Sequence, residues 1–417
     1  MQAKQLSVEQ CVDRFFSDQG ITQPLRHEIY WRKLASRFGE TAKEFGDRIS
    51  RRQAGENVEP YSLKNSSLEF SDAVTSQADS PRLRKFFSWF LKQGYDLDGK
   101  TLLDFGCDSG LFACFVAQTF PTAKVAGFDP CAESISVANQ RAAKSGLNNV
   151  QFFTGKPSDL PKLSAWPSFD FITSMLVFHE LLADGHIASK GSRMTEGISD
   201  FSLTSVSHPI LKSNDCPGLF QIAQMLAVDG RYISLDRWGS ASQLLRWVRF
   251  CENAGLNVLL SESFMLSFKE PKSETNTMPI SVFSKNSDRT LAARADDILA
   301  LFCYPSFLNL RDLYPVENAE VAELIFESLS KEHLYIEEAV YKDGSGVMRT
   351  YVGTASGIGY LFKTTNQGFR QLHLLPAIAL HEHLDELKTQ RLQAEKIAHV
   401  TYEIFNEPLQ RSLKLNF

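Results

Sequence analysis

Four short, mostly apolar runs recur in the first two thirds of the chain: Leu102–Phe105, Lys124–Phe128, Val150–Phe153 and Phe169–Leu176. Segments long enough for a helix, several of them rich in Phe and Ala, separate the runs. A strand with one face in water alternates apolar and polar positions, whereas these runs are apolar at almost every position. That pattern belongs to strands buried on both faces by crossover helices. The order predicts an α/β domain built on a doubly wound, mostly parallel sheet.

The ends of the runs carry the candidate chemistry. The first stops in Asp104-Phe105-Gly106-Cys107-Asp108-Ser109-Gly110, after which a helix begins. Gly106 is free to take backbone angles closed to other residues. Gly110 allows the following helix to pack close to the strand and bring its amides near a ligand. The second run ends in Asp129, followed by Pro130 and a new helix. A carboxylate at the carboxyl end of a parallel strand faces the ligand crevice and can accept both hydroxyl protons of a ribose.

With these turns in view, the stretch from about Gly99 to about Phe283 resembles the class I S-adenosylmethionine (SAM) dependent methyltransferases. The resemblance rests on Asp104, Gly106 and Gly110 in the first turn, Asp129 after the second strand, and Ser174 with a following His179 at the fourth. It extends to Leu226–Ser234, like the family's turn into a fifth strand, and to Glu252–Val258, like its next helix, Gly turn and strand. It implies a Rossmann-like, mostly parallel seven-stranded sheet, SAM as cofactor, and methyl transfer to an acceptor by in-line displacement. The cofactor contacts it implies are Asp104, Gly106, Cys107, Asp108, Gly110, Asp129, Ser158, Asp159 and Ser174. In such a displacement the cofactor supplies the electrophile and the protein aligns the reactants. A hydroxyl or ammonium acceptor also needs a base near the end of the fourth strand, where His179 and Glu180 stand; His179 is the catalytic candidate.

Two positions depart from the family's pattern. Asp108 stands where the middle glycine of the turn is usual; a carboxylate there lies near the methionine end of the ligand and either pairs with its cations or crowds it. In Gly155-Lys156-Pro157-Ser158-Asp159, Lys156 replaces the acidic residue expected to meet the adenine amino group, and Pro157 has no N–H to give. Asp159 is the available substitute. These departures keep open a reading of another class, a methyltransferase-like binding or scaffold protein with a degenerate cofactor site. A dehydrogenase is disfavoured because the first turn lacks the Gly-x-Gly-x-x-Gly spacing.

The flanks complete a three-part organisation. Residues 1–95 are expected to form a helical segment opening with a capping box at Ser7–Gln10, a helix over Leu25–Phe38, a linker over Gly55–Ser67 and a helix from Ser80-Pro81. Such a segment either covers the cofactor and shapes the acceptor pocket or is a packing cap. The domain of residues 96–285 contains a long connection at about 183–216, expected to be a lid over the acceptor entry. Residues 288–417 form a C-terminal α+β region of no recognised family: a helix over Asn318–Lys331, strands Leu334–Tyr341 and Val347–Val352 around Asp343–Gly346, a third strand at Gly359–Lys363, and a helix-rich tail from Pro376. Gly353–Gly359 is expected to be a flexible turn. This region is the candidate surface for a protein partner.

Charge and cysteine usage narrow the class. The 417 residues include 44 basic and 49 acidic side chains, a net charge of −5, so a general nucleic-acid footprint is not expected; a small molecule or a protein side chain is favoured as acceptor. The seven cysteines are widely spaced and odd in number, as suits a reducing compartment. With no run near the ~18 apolar residues of a membrane span, a cytoplasmic location without membrane contact is expected. Asp236 and Trp238, after the fifth strand, are further substrate candidates. His381 and His383, two apart on a helix, would diverge and are not expected to share a metal.

Overall fold

The computed structural model describes residues 6–162, 166–178, 217–238, 241–269, 275–285, 314–316, 329–355 and 358–415, with Ile298, Ala322, Glu323, Phe326 and Glu327. It divides into two compact units: Met1–Gly197, Leu211–Arg237 and Cys251–Ser287 make the first, and Ile198–Ile210, Trp238–Phe250 and Asp288–Phe417 the second.

In the first unit, β1 (Thr101–Phe105), β2 (Lys124–Asp129), β3 (Val150–Thr154), β4 (Phe169–Met175) and β5 (Leu226–Leu235) run parallel in the order β3-β2-β1-β4-β5. β6 (Asn257–Val258) and β7 (Phe264–Lys269) both pair with β8 (Thr275–Ser284), which runs antiparallel to β5. The doubly wound, Rossmann-like class is as expected, with one strand more than seven. The extra strand is β7, which exposes alternate residues and so writes no continuous apolar run. Because strand order reverses beside β1, the carboxyl ends of β1, β2 and β4 flank a crevice.

Helices α1 (Val8–Gln19), α2 (His27–Gln53), α3 (Tyr61–Lys64), α4 (Leu68–Ala78) and α5 (Ser80–Lys92) precede the sheet. The capping box is present: Gln10 N–H donates to Ser7 Oγ at 3.2 Å and Ser7 N–H to Gln10 Oε1 at 2.9 Å. α2 outruns its expected end because Gly39 (φ +52°) kinks it without ending it, and Ala42 and Phe45 beyond the kink bury against Tyr30, Leu34, Phe70 and Val74. α3 lies inside the segment expected to be a linker. From α5, Phe86, Phe87 and Phe90 bury with Phe112 and Phe115 of α6 (Leu111–Thr119) and with Leu266 and Phe268 of β7. The Phe87 and Phe115 rings stack at 4.6 Å, a contact worth about 0.5–1.5 kcal/mol beyond its buried area.

The second unit holds an antiparallel sheet in the order β14-β10-β11-β12-β13-β9, formed by β9 (Tyr314–Val316), β10 (Glu332–Tyr341), β11 (Val347–Ala355), β12 (Ile358–Thr365), β13 (Arg370–Pro376) and β14 (Ala398–Ile404). The three expected strands are β10, β11 and β12, and the hairpin at Asp343–Gly346 closes through Tyr341 N–H to Gly346 O at 3.0 Å. One expectation is borne out and one is corrected. The tail is helix-rich as expected, with the helices Leu380–Ile397 and Glu407–Ser412, and β14 separates them. The flexible turn is mostly paired strand, with Gly353, Thr354 and Ala355 registered against Tyr360, Gly359 and Ile358; residues 356 and 357 lie outside the described residues. Half of the expected helix at Asn318–Lys331 does so too; Ala322, Glu323, Phe326 and Glu327 are helical, and residues 329–331 are not.

Candidate active site

The turn after β1 is closed by its own backbone and by β2. Gly106 and Cys107 donate their N–H groups to Phe128 O at 2.7 and 3.1 Å, and Gly110 N–H reaches Cys107 O at 2.9 Å. Gly106 (φ +75°) and Gly110 (φ +69°) both sit in the left-handed region. A Cβ on Gly106 would lie 2.4 Å from Val177 Cγ2, and one on Gly110 2.7 Å from Ala138 Cβ and the Phe152 ring. Conformation and space therefore both demand glycine.

Asp108 takes φ +47° at the centre of the turn. Asp is one of the few residues with a Cβ that visits this region readily, so the glycine-like conformation survives the departure from the family's pattern. Its N–H donates to Asp129 Oδ2 at 2.9 Å, while Cys131 N–H donates to Asp129 Oδ1 at 2.9 Å. Two backbone donors thus fix the Asp129 carboxylate at the end of β2, where it is 9% exposed. Burial pushes its pKa up to about 6, the Asp108 charge adds to the rise, and the two N–H bonds oppose it.

The Asp108 carboxylate is turned to the N-terminal segment. Lys64 Nζ lies 2.7 Å from its Oδ2, and Asn65 Nδ2 donates to its Oδ1 at 2.7 Å. A second brace comes from α7 (Ala132–Lys144), whose fully buried Arg141 donates to Ser109 O at 3.0 Å, Gln19 Oε1 at 3.2 Å and Asp72 Oδ1 at 2.6 Å. The turn is therefore held from α1, α3 and α4 as well as from the sheet. None of Lys64, Asn65 and Arg141 was a sequence candidate.

Asp104 lies wholly beneath the turn. Its Oδ1 accepts from Thr173 Oγ1 at 3.0 Å, and its buried Oδ2 has no hydrogen-bond partner among the described residues. Burial lifts its pKa to about 7; the Thr173 bond opposes this, and the Asp129 charge adds to it. Cys107 is buried, and burial pushes its thiol up, followed by the charges of Asp104 and Asp129. Ser174 is fully buried, its Oγ 2.8 Å from Tyr232 OH. On the adenine side, Ser158 is exposed in the 3₁₀ turn Pro157–Lys162, and Asp159 Oδ2 accepts from Lys156 N–H at 2.9 Å.

At the end of β4, Leu176 takes φ +57°, a conformation costing a bulky residue on the order of 1–3 kcal/mol and found where function fixes the backbone. Fully buried Asp236 accepts from Phe178 N–H at 2.7 Å and Arg237 N–H at 2.9 Å. It thereby pins the backbone just before His179 and presents no surface to a substrate. His179, Glu180 and the expected lid at 183–216 lie outside the described residues. Trp238 stacks on Trp247 at 5.4 Å. His381 is exposed on its helix with Nδ1 2.6 Å from Ile378 O, and no metal-holding cluster occurs among the described residues. No helix among them is long and apolar enough to cross a membrane.

A family model described as a methyltransferase domain matches residues 96–245. Among curated proteins, none matches the chain. Similar solved structures include a TehB-like SAM-dependent methyltransferase from Corynebacterium glutamicum, 17% identical over 48% of this chain and 86% of the other, with a TM-score of 0.30. A SAM-dependent methyltransferase from Aquifex aeolicus is 17% identical over 46% of this chain and 87% of its own, with a TM-score of 0.31. Precorrin-6y C5,15-methyltransferase from Geobacter metallireducens is 12% identical over 50% and 93%, with a TM-score of 0.33. The family match falls on the strands and turns described above, and residues 96–245 are a methyltransferase domain.

Proposed function

We propose that the chain transfers a methyl group from SAM to a small molecule or a protein side chain. The observation that carries this reading is Asp129: a carboxylate at the carboxyl end of β2, held by the N–H groups of Asp108 and Cys131, with lone pairs to spare among the described residues. That arrangement suits the two hydroxyls of a ribose. The fully buried Asp104 carboxyl beneath the turn, its pKa raised to about 7, favours a cationic ligand above the turn through its charge once ionised and not by direct contact. When bound, SAM supplies the electrophilic methyl group.

The protein's own part is to orient and to take up a proton. Asp236 fixes the backbone before His179, and the reading assigns His179 the proton released by a hydroxyl or ammonium acceptor. The net charge of −5 favours these acceptors over nucleic acid.

Calorimetric titration with SAM and S-adenosylhomocysteine tests the reading. Micromolar binding is expected, weakened in Asp129→Ala by about 1–3 kcal/mol, the scale of lost charge-assisted hydrogen bonds. Folded protein that binds neither compound would sink the proposal and favour the non-catalytic scaffold.

A further inference from the structure

We propose that Lys64 and Asn65 are positioning residues of the turn after β1, holding the Asp108 carboxylate so that its backbone keeps the left-handed conformation and its N–H stays on Asp129. Their role in cofactor binding rests on the SAM reading above; their role in holding the turn stands on the geometry alone.

Lys64 is 8% exposed and Asn65 2%, so neither is a mobile surface side chain. Lys64 Nζ lies 2.7 Å from Asp108 and 3.2 Å from Asp79. Asp79 has a cation of its own, since Arg82 reaches its Oδ1 at 2.6 Å. Lys64 thereby bridges Asp108 and Asp79, Asp108 at the shorter distance, and its charge also lowers the pKa of Asp129. Asp104, Asp108 and Asp129 influence one another electrostatically, as expected of like charges around one turn. Asn65 completes the latch with both ends of its amide: Nδ2 donates to Asp108 Oδ1 at 2.7 Å and Ser134 Oγ at 2.8 Å, and Oδ1 accepts from Ser71 Oγ at 2.8 Å.

These contacts explain why a carboxylate is tolerated where a glycine would need no support. A free Asp108 side chain would rehydrate and swing away from Asp129, taking with it the N–H that orients the ribose carboxylate. The segment between Pro60 and Ser66 is thus part of the site, although 44 and 43 residues separate Lys64 and Asn65 from Asp108.

The test compares wild type, Lys64→Met and Lys64→Met/Asp108→Asn by hydrogen exchange of ligand-free protein and by SAM titration. In Lys64→Met, exchange at Asp108–Gly110 is expected to quicken about tenfold while the β1 amides stay protected, and the SAM Kd to rise about tenfold. Neutralising Asp108 removes the uncompensated charge, so exchange at Asp108–Gly110 in the double variant should return to within about threefold of wild type, the coupling expected of contacting residues. A merely structural role for Lys64 would quicken exchange throughout α2–α5 and gain nothing from Asp108→Asn; either result overturns the proposal, as does unchanged exchange in Lys64→Met. If wild type binds no SAM while the exchange pattern holds, the cofactor reading fails and the latch stands. Where SAM binds but Lys64→Met leaves exchange and Kd alone, the latch fails and the cofactor reading stands.

Discussion

Arg141→Ala is expected to lower the stability of the first unit by about 3–5 kcal/mol, the cost of removing one partner of a buried ion pair. Arg141 is fully buried, and its guanidinium serves three acceptors: Asp72 at 2.6 Å, Gln19 at 3.2 Å and the Ser109 carbonyl at 3.0 Å. Burial already raises the Asp72 pKa despite the arginine beside it, so the carboxylate left behind would be poorly placed to stay ionised. The substitution also opens a cavity and frees the carbonyl next to Asp108. Chemical denaturation followed by hydrogen exchange of α1, α4 and α7 measures the loss. Arg141→Met with Asp72→Ala should recover part of it, because the unpaired charge is then gone. A single-variant loss under about 1 kcal/mol would contradict a buried pair of this kind.

Asp104→Asn is expected to move stability and affinity in opposite directions. In the folded protein the Asp104 pKa is raised from 3.8 to about 7. The stability tied to this raised pKa is fully present below the unfolded value and is lost as pH rises through about 7. At pH 8 the wild type therefore bears an ionised, buried carboxylate, costing about 1.4 kcal/mol for every tenfold weakening of its acidity, with a ceiling of about 4 kcal/mol. Asparagine avoids that cost, so the variant's melting temperature should exceed that of wild type at pH 8 by more than at pH 5. A difference independent of pH would refute this origin of the effect. In the same variant, SAM binding at pH 8 should weaken more than binding of S-adenosylhomocysteine, because only SAM carries the sulfonium charge that the carboxylate attracts.

The parallel part of the sheet was legible because burial on both faces makes each strand a continuous apolar run. Leu102 and Leu103 of β1 and Val125 and Ala126 of β2 are fully buried. Two of the strands that escaped notice are of another kind. β7 and β14 expose residues such as Phe264, Tyr402 and Ile404, and their mixed patterns are weak strand signals. The glycine turn and Asp129 were visible as motifs, since backbone angle and strand position are local properties. Lys64, Asn65 and Arg141 were not. Lys64 and Asn65 stand among short polar residues without a period, Arg141 stands in an ordinary amphipathic helix, and their partners lie far away along the chain. Asp108 shows both sides of this: its oddity was plain from the sequence, but the reason it is tolerated is tertiary.

The most direct test of the central claim is a crystal structure of the protein with S-adenosylhomocysteine. The account predicts the ribose hydroxyls within hydrogen-bond distance of the Asp129 carboxylate, with the homocysteine end over the turn Gly106–Gly110. A ligand bound away from this turn, or a ribose that does not meet Asp129, would contradict it.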